Sequence, residues 1–338
     1  TWSNKTFGLI DADFNWIITP DHGYVDIERK SDDDFAFYFS TSWKVGLVNV
    51  DPNVNQKKIT DAVYDLFFLG SPEYAGGGLR DSSPEFDADG FVKVGVYDDS
   101  SNLKVGLASR TKLEVDALYK DAYYKNGYFY LKNFDGSWDV QKRDNPNEQV
   151  HVLPIESKNI DKIELVGPNM EYIIVENKID NEIDSYYEVG VLNRSDMSVY
   201  LDFEYRYVLY DDQKWIVAKY IEPSVFTAVY NLSLEEIVPL SPKYGLISTY
   251  SEGYAIALGA DNELFLSNQE QETSLFSKFF LQANAVASAP VVDVIDKDGN
   301  VVLSLGNDYL EATIIGEYEG NIKLLLLDRS GFKIANFI

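Results

Sequence analysis

Short apolar runs of strand length alternate with tight polar clusters along most of the chain. Phe35-Ala36-Phe37-Tyr38-Phe39 and Tyr128-Phe129-Tyr130-Leu131 are aromatic runs, and Gly90-Phe91-Val92-Lys93-Val94-Gly95-Val96-Tyr97 alternates apolar and polar positions imperfectly. Between such runs stand Asp11-Ala12-Asp13-Phe14-Asn15, Asp51-Pro52-Asn53, Asp98-Asp99-Ser100-Ser101-Asn102, Asn133-Phe134-Asp135-Gly136 and Asp296-Lys297-Asp298-Gly299-Asn300. Asp, Asn and Gly tolerate turn conformations, so this punctuation every 8 to 12 residues or so predicts short strands and an all-β fold. Helical periodicity is confined to two places. Over 273–285, Leu275, Phe276, Phe279, Phe280 and Ala283 follow a helical spacing behind Thr273 as N-cap, although the same residues also read as a loop feeding a strand. Residues 61–68 read equally as a short helix or a strand.

One local frame recurs six times: polar, apolar, Gly, apolar, any residue, then often a short polar one. Its glycines are Gly8, Gly46, Gly95, Gly106, Gly190 and Gly245. Glycine inside a strand lets a neighbouring backbone or a large ring approach closely, or marks a bulge. The many Tyr and Phe beside these glycines fit that role, and the recurrence predicts a repeat-built fold. Residues 70–90, with Gly76-Gly77-Gly78, two Pro and several acids, read as a long inserted loop. The interval 145–183 lacks the frame, although strand-like runs such as Glu171-Tyr172-Ile173-Ile174-Val175 lie within it. The predicted organisation is therefore a β-repeat domain over 1–150 carrying the 70–90 loop, a connecting segment over 151–185, and a second β-domain over 186–338. Strand-like segments at both ends, 7–11 and 332–338, would remove exposed edges by pairing.

The first half resembles the WG repeat of bacterial proteins. Gly8-Leu9-Ile10-Asp11, Trp16-Ile17-Ile18, Pro20 and Tyr24 follow the order of that unit. Weaker copies run from Gly46-Leu47-Val48-Asn49 through Ile59 to Tyr64, and from Gly106-Leu107 through Val115 to Tyr119. Phe7, Val45 and Val105 stand where the family has Trp. The resemblance implies a β-repeat interaction module without catalytic residues. From about Tyr186, three blocks of about fifty residues each supply about four strands. The middle block, with Gly245-Leu246-Ile247, Tyr254-Ala255-Ile256, Leu264-Phe265-Leu266 and Phe279-Phe280-Leu281, looks like a fascin-type β-trefoil unit. The third block carries Asp293 in place of the glycine. A β-trefoil-like second domain is expected, with a β-propeller or an open β-repeat array as the alternatives.

Composition narrows function more than it identifies it. Of 338 residues, 55 are Asp or Glu against 29 Lys or Arg, a net charge of −26. Such a surface repels phosphate backbones and anionic lipids, so nucleic-acid binding and membrane insertion are not expected. With no cysteine, thiolate chemistry and disulfides are excluded. No apolar stretch is long enough for a transmembrane helix. Residues 1–5 do not read as a signal peptide, and an opening Thr rather than Met predicts removal of Met or of a longer leader. The sequence holds no Gly-x-Ser-x-Gly elbow, no phosphate-binding loop and no Ser-His-Asp arrangement. His22 lies in a turn, far in sequence from His151. Asp87 and Asp89, and likewise Asp296 and Asp298, present hard oxygens beside Gly, as in a calcium site, but neither pair is followed by the acid that completes an EF-hand loop; a hairpin turn is the simpler reading. Carboxylate pairs are the only abundant catalytic material, and chance alone supplies many. The expectation is a non-catalytic structural or adhesion protein working through contacts with other protein subunits, at a virion or cell surface rather than in the cytoplasm. A glycan-binding, lectin-like module and a carboxylate-based glycoside hydrolase are the alternatives. No cofactor is expected apart from calcium at those aspartates.

Overall fold

The computed structural model describes residues 6–51, 58–68, 86–155, 158–180, 185–222, 224–259 and 291–337, except positions 12, 21–23, 25, 30–34, 41, 43, 307, 310, 319–320 and 329–330. The candidate helix at 273–285, most of the 70–90 loop, His22 and the strands expected at 264–266 and 279–281 lie outside the described residues. The chain divides into two compact units, Thr1–Glu156 and Ser157–Ile338.

Every described regular element is a β-strand, as the alternation of apolar runs and turn clusters predicts. In the first unit, β1 (Leu9–Ile10) pairs with β2 (Trp16–Ile18). Three sheets follow: β3 (Asp26–Arg29), β4 (Phe35–Phe39) and β5 (Val45–Asn49); β6 (Leu66–Phe68), β7 (Phe91–Tyr97), β8 (Leu103–Ser109) and β9 (Leu113–Tyr119); β10 (Asp121–Lys125), β11 (Tyr128–Lys132), β12 (Trp138–Lys142) and β13 (Asn145–Val152). The second unit has four: β14 (Ile160–Val166), β15 (Tyr172–Asp180), β16 (Ser185–Asn193) and β17 (Val199–Tyr205); β18 (Tyr207–Asp211), β19 (Lys214–Ile221), β20 (Ser224–Asn231) and β21 (Glu236–Val238); β22 (Tyr244–Ile247), β23 (Tyr254–Gly259), β24 (Val292–Asp296) and β25 (Val301–Gly306); β26 (Glu311–Tyr318), β27 (Asn321–Asp328) and β28 (Gly331–Phe337). Each sheet is an antiparallel meander in which neighbours in sequence are neighbours in space.

The cores lie between successive sheets. Phe35, Phe37, Phe39 and Leu47 pack on Phe67, Val92 and Val94, while Phe91, Val105 and Leu107 pack on Phe129 and Leu131. In the second unit Val189, Val191 and Leu201 meet Trp215 and Val217; Ile216 and Val229 meet Ile247, Ala255 and Ala257; Val292 and Val294 meet Leu324 and Leu326. Sheets covered on both faces have no solvent side, so β4 and β11 are buried at every residue and their sequences run apolar without alternation.

The strands of 186–338 thus contribute to three inter-sheet clusters, and the single interior of a β-trefoil is not seen among the described residues. The frame of the expected blocks is also displaced. Gly190 lies in β16, the third strand of its sheet, and the interval 151–185, expected to connect, contains β14 and β15.

Gly46, Gly95, Gly106, Gly190 and Gly245 lie inside strands, and Gly8 immediately precedes β1. Close approach explains several of them, Gly46 and Gly190 among them. Gly46 pairs with Tyr38 across β4 and β5, and the Tyr38 ring occupies the space a side chain at Gly46 would need. At Gly190 an added Cβ would lie 2.9 Å from the Phe203 ring.

Candidate functional site

The turn clusters seen in the sequence form one recurring device. In Asp11–Asn15 the chain closes with Asp11 N–H donating to the Asn15 carbonyl at 2.9 Å, and the Asp11 Oδ1 accepts from the N–H groups of Asp13 and Asn15 at 2.9 Å each. Asp98 caps Ser100 and Asn102 in the same way, Asp296 caps Asp298 and Asn300, Asp87 caps Asp89 and Phe91, and Asn231 caps Ser233 and Glu235. The fourth residue of each turn has positive φ: Phe14, Ser101, Gly299, Gly90 and Leu234.

The four aspartates expected as calcium ligands therefore sit in two such turns. Asp87 and Asp296 spend a carboxylate oxygen on their own backbone, and Asp89 and Asp298 enter through their N–H groups. Burial pushes the Asp87 carboxyl above its ordinary value. At Asp296 burial acts in the same direction, but hydrogen bonds from Asn300 and Asp298 outweigh it and hold the carboxyl low. Among the described residues no group of three His, Asp or Glu side chains is placed to hold a metal ion. His151 lies opposite Asp139 on β12 and β13, with Nδ1 2.6 Å from Oδ1, and Ser137 donates to Asp135 instead of to this histidine.

Backbone strain points to a group of turns that includes the capped turn at 231–235. A non-glycine residue at positive φ costs about 1–2 kcal/mol. Nine described residues carry that cost, and five of them, Met170, Met197, Asp212, Gln213 and Leu234, lie in four turns of the second unit. These turns, 167–171, 193–198, 211–214 and 231–235, stand at one end of two neighbouring sheets: they join β14 to β15, β16 to β17, β18 to β19 and β20 to β21. The 211–214 hairpin holds its two central residues, Asp212 and Gln213, at φ 44° and 59°, a conformation that usually takes Asn-Gly.

Beneath these turns lies a four-ring cluster. Trp215, fully buried at the start of β19, stands 5.2 Å from Tyr172, 5.7 Å from Tyr200 and 5.1 Å from Tyr210, and Tyr172 and Tyr200 are 4.7 Å apart. The three tyrosines are half-buried. Tyr200 Oη donates to the Leu232 carbonyl and so ties β17 to the 231–235 turn. Trp215 Nε1 and Tyr210 Oη are buried without a hydrogen-bond partner, an arrangement that costs stability and marks a site for attention. Burial, then the hydroxyl of Tyr200 and the charge of Glu171, push the Tyr172 hydroxyl up to about 12.

On the opposite face of the same hairpin, Asp211 accepts from the Tyr250 N–H at 2.5 Å, and Lys214 Nζ lies 3.0 Å from Asp212 and 4.7 Å from the Tyr250 ring centre. The four turns carry Glu171, Asp196, Asp211, Asp212 and Glu235 against Arg194 and Lys214. The carboxylates are engaged locally: Glu171 by the Asn169 N–H, Asp196 by Ser198, Glu235 by Asn231.

No family model matches the chain, and no curated protein matches it. Similar solved structures include the computationally designed Ika8 protein, with 8% identity over 93% of this chain and 83% of that one and a TM-score of 0.36. The β-propeller domain of the trilobed protease from Pyrococcus furiosus is 10% identical over 93% of this chain and 94% of that one, with a TM-score of 0.34. The tricorn protease is 9% identical with a TM-score of 0.39 over 98% of this chain, which spans 36% of that protein's length. At such scores these likenesses carry no argument about activity or partners.

Proposed function

We propose that this chain is a non-catalytic binding protein that acts through contacts with other protein subunits, and that the turns above β14–β21 form its contact surface. The supporting observation is the concentration of left-handed, non-glycine residues there. Strain held in one set of loops on a rigid sheet frame is the pattern of a surface kept for recognition at a cost in stability. Met170, Met197 and Leu234 place apolar groups in those loops, and methionine and leucine adapt well to a protein partner. The local engagement of the carboxylates favours a binding role over acid–base chemistry. The resemblance of the first half to WG repeats agrees, since that family implies an interaction module. The sequential four-stranded meanders, packed face to face within each unit, favour the propeller-like or open-array reading of the repeats over the trefoil.

The test is a photo-crosslinking residue placed at the exposed Gln213 and, as a control, at the exposed Asp99 of the first unit. In extracts of the cells that make the protein, one polypeptide of defined mass is expected to join at 213 and not at 99. Equal labelling at both positions, or none at 213, would refute the assignment.

A further inference from the structure

The four-ring cluster has one feature that bears on the partner. In several other aromatic groups a cation of the chain sits over a ring. Lys132 Nζ lies 5.5 Å from the Trp138 ring, in the first-unit cluster where Trp138 meets Tyr123. Arg206 lies 4.0 Å from Tyr186 and 5.4 Å from Tyr220; Arg143 covers Phe91 and Tyr124; Lys158 covers Phe203. Over Tyr172, Tyr200, Tyr210 and Trp215 no cation of the described residues is placed, although this is the largest connected ring group among the described residues of the second unit. The negative faces of these rings, the carboxylates of Glu171 and Asp212 whose charge reaches Tyr210, and the unpartnered acceptor Tyr210 Oη all favour positive charge. The surrounding turns hold five acids and two bases, and both bases are engaged: Arg194 with the Met170 carbonyl and Lys214 with Asp212.

We infer that this cluster receives an arginine or lysine side chain from a basic segment of the partner protein. The inference rests on the binding role proposed above and specifies its chemistry. A second copy of this chain is a poor occupant, because two molecules of charge −26 repel one another. A basic segment gains from the same field on approach and from the rings on contact. The planar guanidinium of arginine suits stacking on Tyr172, Tyr200 and Tyr210 better than an ammonium does.

The test uses the full chain and a fluorescein-labelled octapeptide of alternating Gly and Arg, followed by fluorescence anisotropy at 150 mM salt. Tyr172→Leu, which removes a ring, is expected to weaken binding about tenfold, whereas Tyr172→Phe, which keeps the ring, stays within about twofold. Glu171→Gln is expected to weaken binding more than Asp99→Asn, which removes the same charge from an exposed turn of the first unit. Circular dichroism of Tyr172→Leu checks that the fold is retained, and Tyr200→Leu provides a second ring deletion if it is not. Equal losses for Glu171→Gln and Asp99→Asn would leave only the general field of the protein and overturn the inference. So would displacement of the peptide by 50 mM lactose or cellobiose, which would assign the rings to a sugar. Failure of the peptide together with a crosslinked partner at 213 would remove the cationic ligand and leave the binding role standing.

Discussion

Replacing Gly46 by Ala is expected to destabilise the first unit far more than the size of a methyl group suggests. The new Cβ would fall far inside van der Waals contact with the hydroxyl end of the Tyr38 ring. That ring has little room to withdraw: Tyr38 is fully buried, the Tyr24 ring meets it edge-on at 4.5 Å, and its hydroxyl donates to the Thr60 carbonyl. Forcing one carbon into a packed site costs about 1–3 kcal/mol. Breaking the Tyr38–Thr60 hydrogen bond as the ring shifts adds about 1 kcal/mol, for a total of about 2–4 kcal/mol. Gly127→Ala in the same unit is the control, since φ there is +87° and nothing lies within 4 Å of the added carbon; left-handed strain alone gives about 1–2 kcal/mol. The assay is urea unfolding, with far-UV dichroism following both units and tryptophan fluorescence separating them. Trp215 is the one tryptophan of the second unit, and Trp2, Trp16, Trp43 and Trp138 belong to the first. With a slope of about 2 kcal/mol per molar urea, Gly46→Ala should lower the first-unit midpoint by about 1–2 M. In a Tyr38→Leu background the same substitution should cost under about 1 kcal/mol, because the clash has been removed. A Gly46→Ala cost no greater than that of Gly127→Ala, or one unchanged by Tyr38→Leu, would refute the ring-over-glycine account.

Three further outcomes follow from the turns and the buried acids. Ser101→Gly relieves the left-handed strain at φ 63° and should stabilise the first unit by about 0.5–1 kcal/mol after the entropy of the unfolded glycine is counted; urea titration reads it directly. Asp293 is buried, which alone would raise its pKa, but hydrogen bonds from Ser304, Tyr244 and Lys243 hold it below the ordinary value. Its folded pKa is thus lower than its unfolded one, so its contribution is full above the usual carboxylate range of about 4 and is lost as pH falls through the folded value. Asp293→Asn should therefore destabilise the second unit at pH 7, with the difference from the parent shrinking below about pH 4. Asp211 behaves oppositely: burial raises its pKa in spite of the Tyr250 N–H, so the ionised group costs stability at neutral pH and acidification relieves that cost. Asp211→Asn, which keeps an acceptor for Tyr250, should be at least as stable as the parent at pH 7, with the gap closing toward pH 4 or so; thermal unfolding across that range measures it.

The sheets were legible in the sequence because turn chemistry is local. Asp11–Asn15, Asp98–Asn102 and Asp296–Asn300 carry in five residues both the capping side chain and the residues their hairpins need, and each closes a hairpin. Which strands share a sheet was less legible. Strands buried on both faces, such as β4 and β11, lose the alternation that would show where one sheet ends. Glycines of the frame lie in β5, the last strand of its sheet, in β16, the third, and in β22, the first. A frame that recurs at different positions cannot set the phase of the repeat. The candidate site left still less trace. Tyr172, Tyr200 and Tyr210 are three of 24 tyrosines, and Met170, Met197 and Leu234 are ordinary residues whose only unusual property is φ. One signal was available: Asp211-Asp212-Gln213-Lys214 joins two apolar runs through a two-residue turn that lacks glycine and asparagine at both central positions.

The turns also alter what the acidic surplus means. An excess of 26 negative charges invites a reading in terms of ions or partners, yet many of these carboxylates already have an internal task. Asp11, Asp87, Asp98, Asp135, Asp196 and Asp296 each accept one or more N–H groups of their own turn. A fold of many short strands needs many turns, and an aspartate at the first position satisfies two backbone donors that a hydrophobic residue would leave to water. Asparagine does the same at Asn231 without charge, so turn capping requires the acceptor and not the negative charge. The choice of Asp over Asn in turn after turn therefore adds something beyond folding. The added quantity is a field of negative charge, which repels like-charged surfaces and attracts basic ones. That field has no address of its own, since it covers turns in both units. Above β14–β21 it coincides with half-buried rings over which no cation of the described residues is placed, which is why the binding role proposed above is assigned to that place and not to the acidic surface at large.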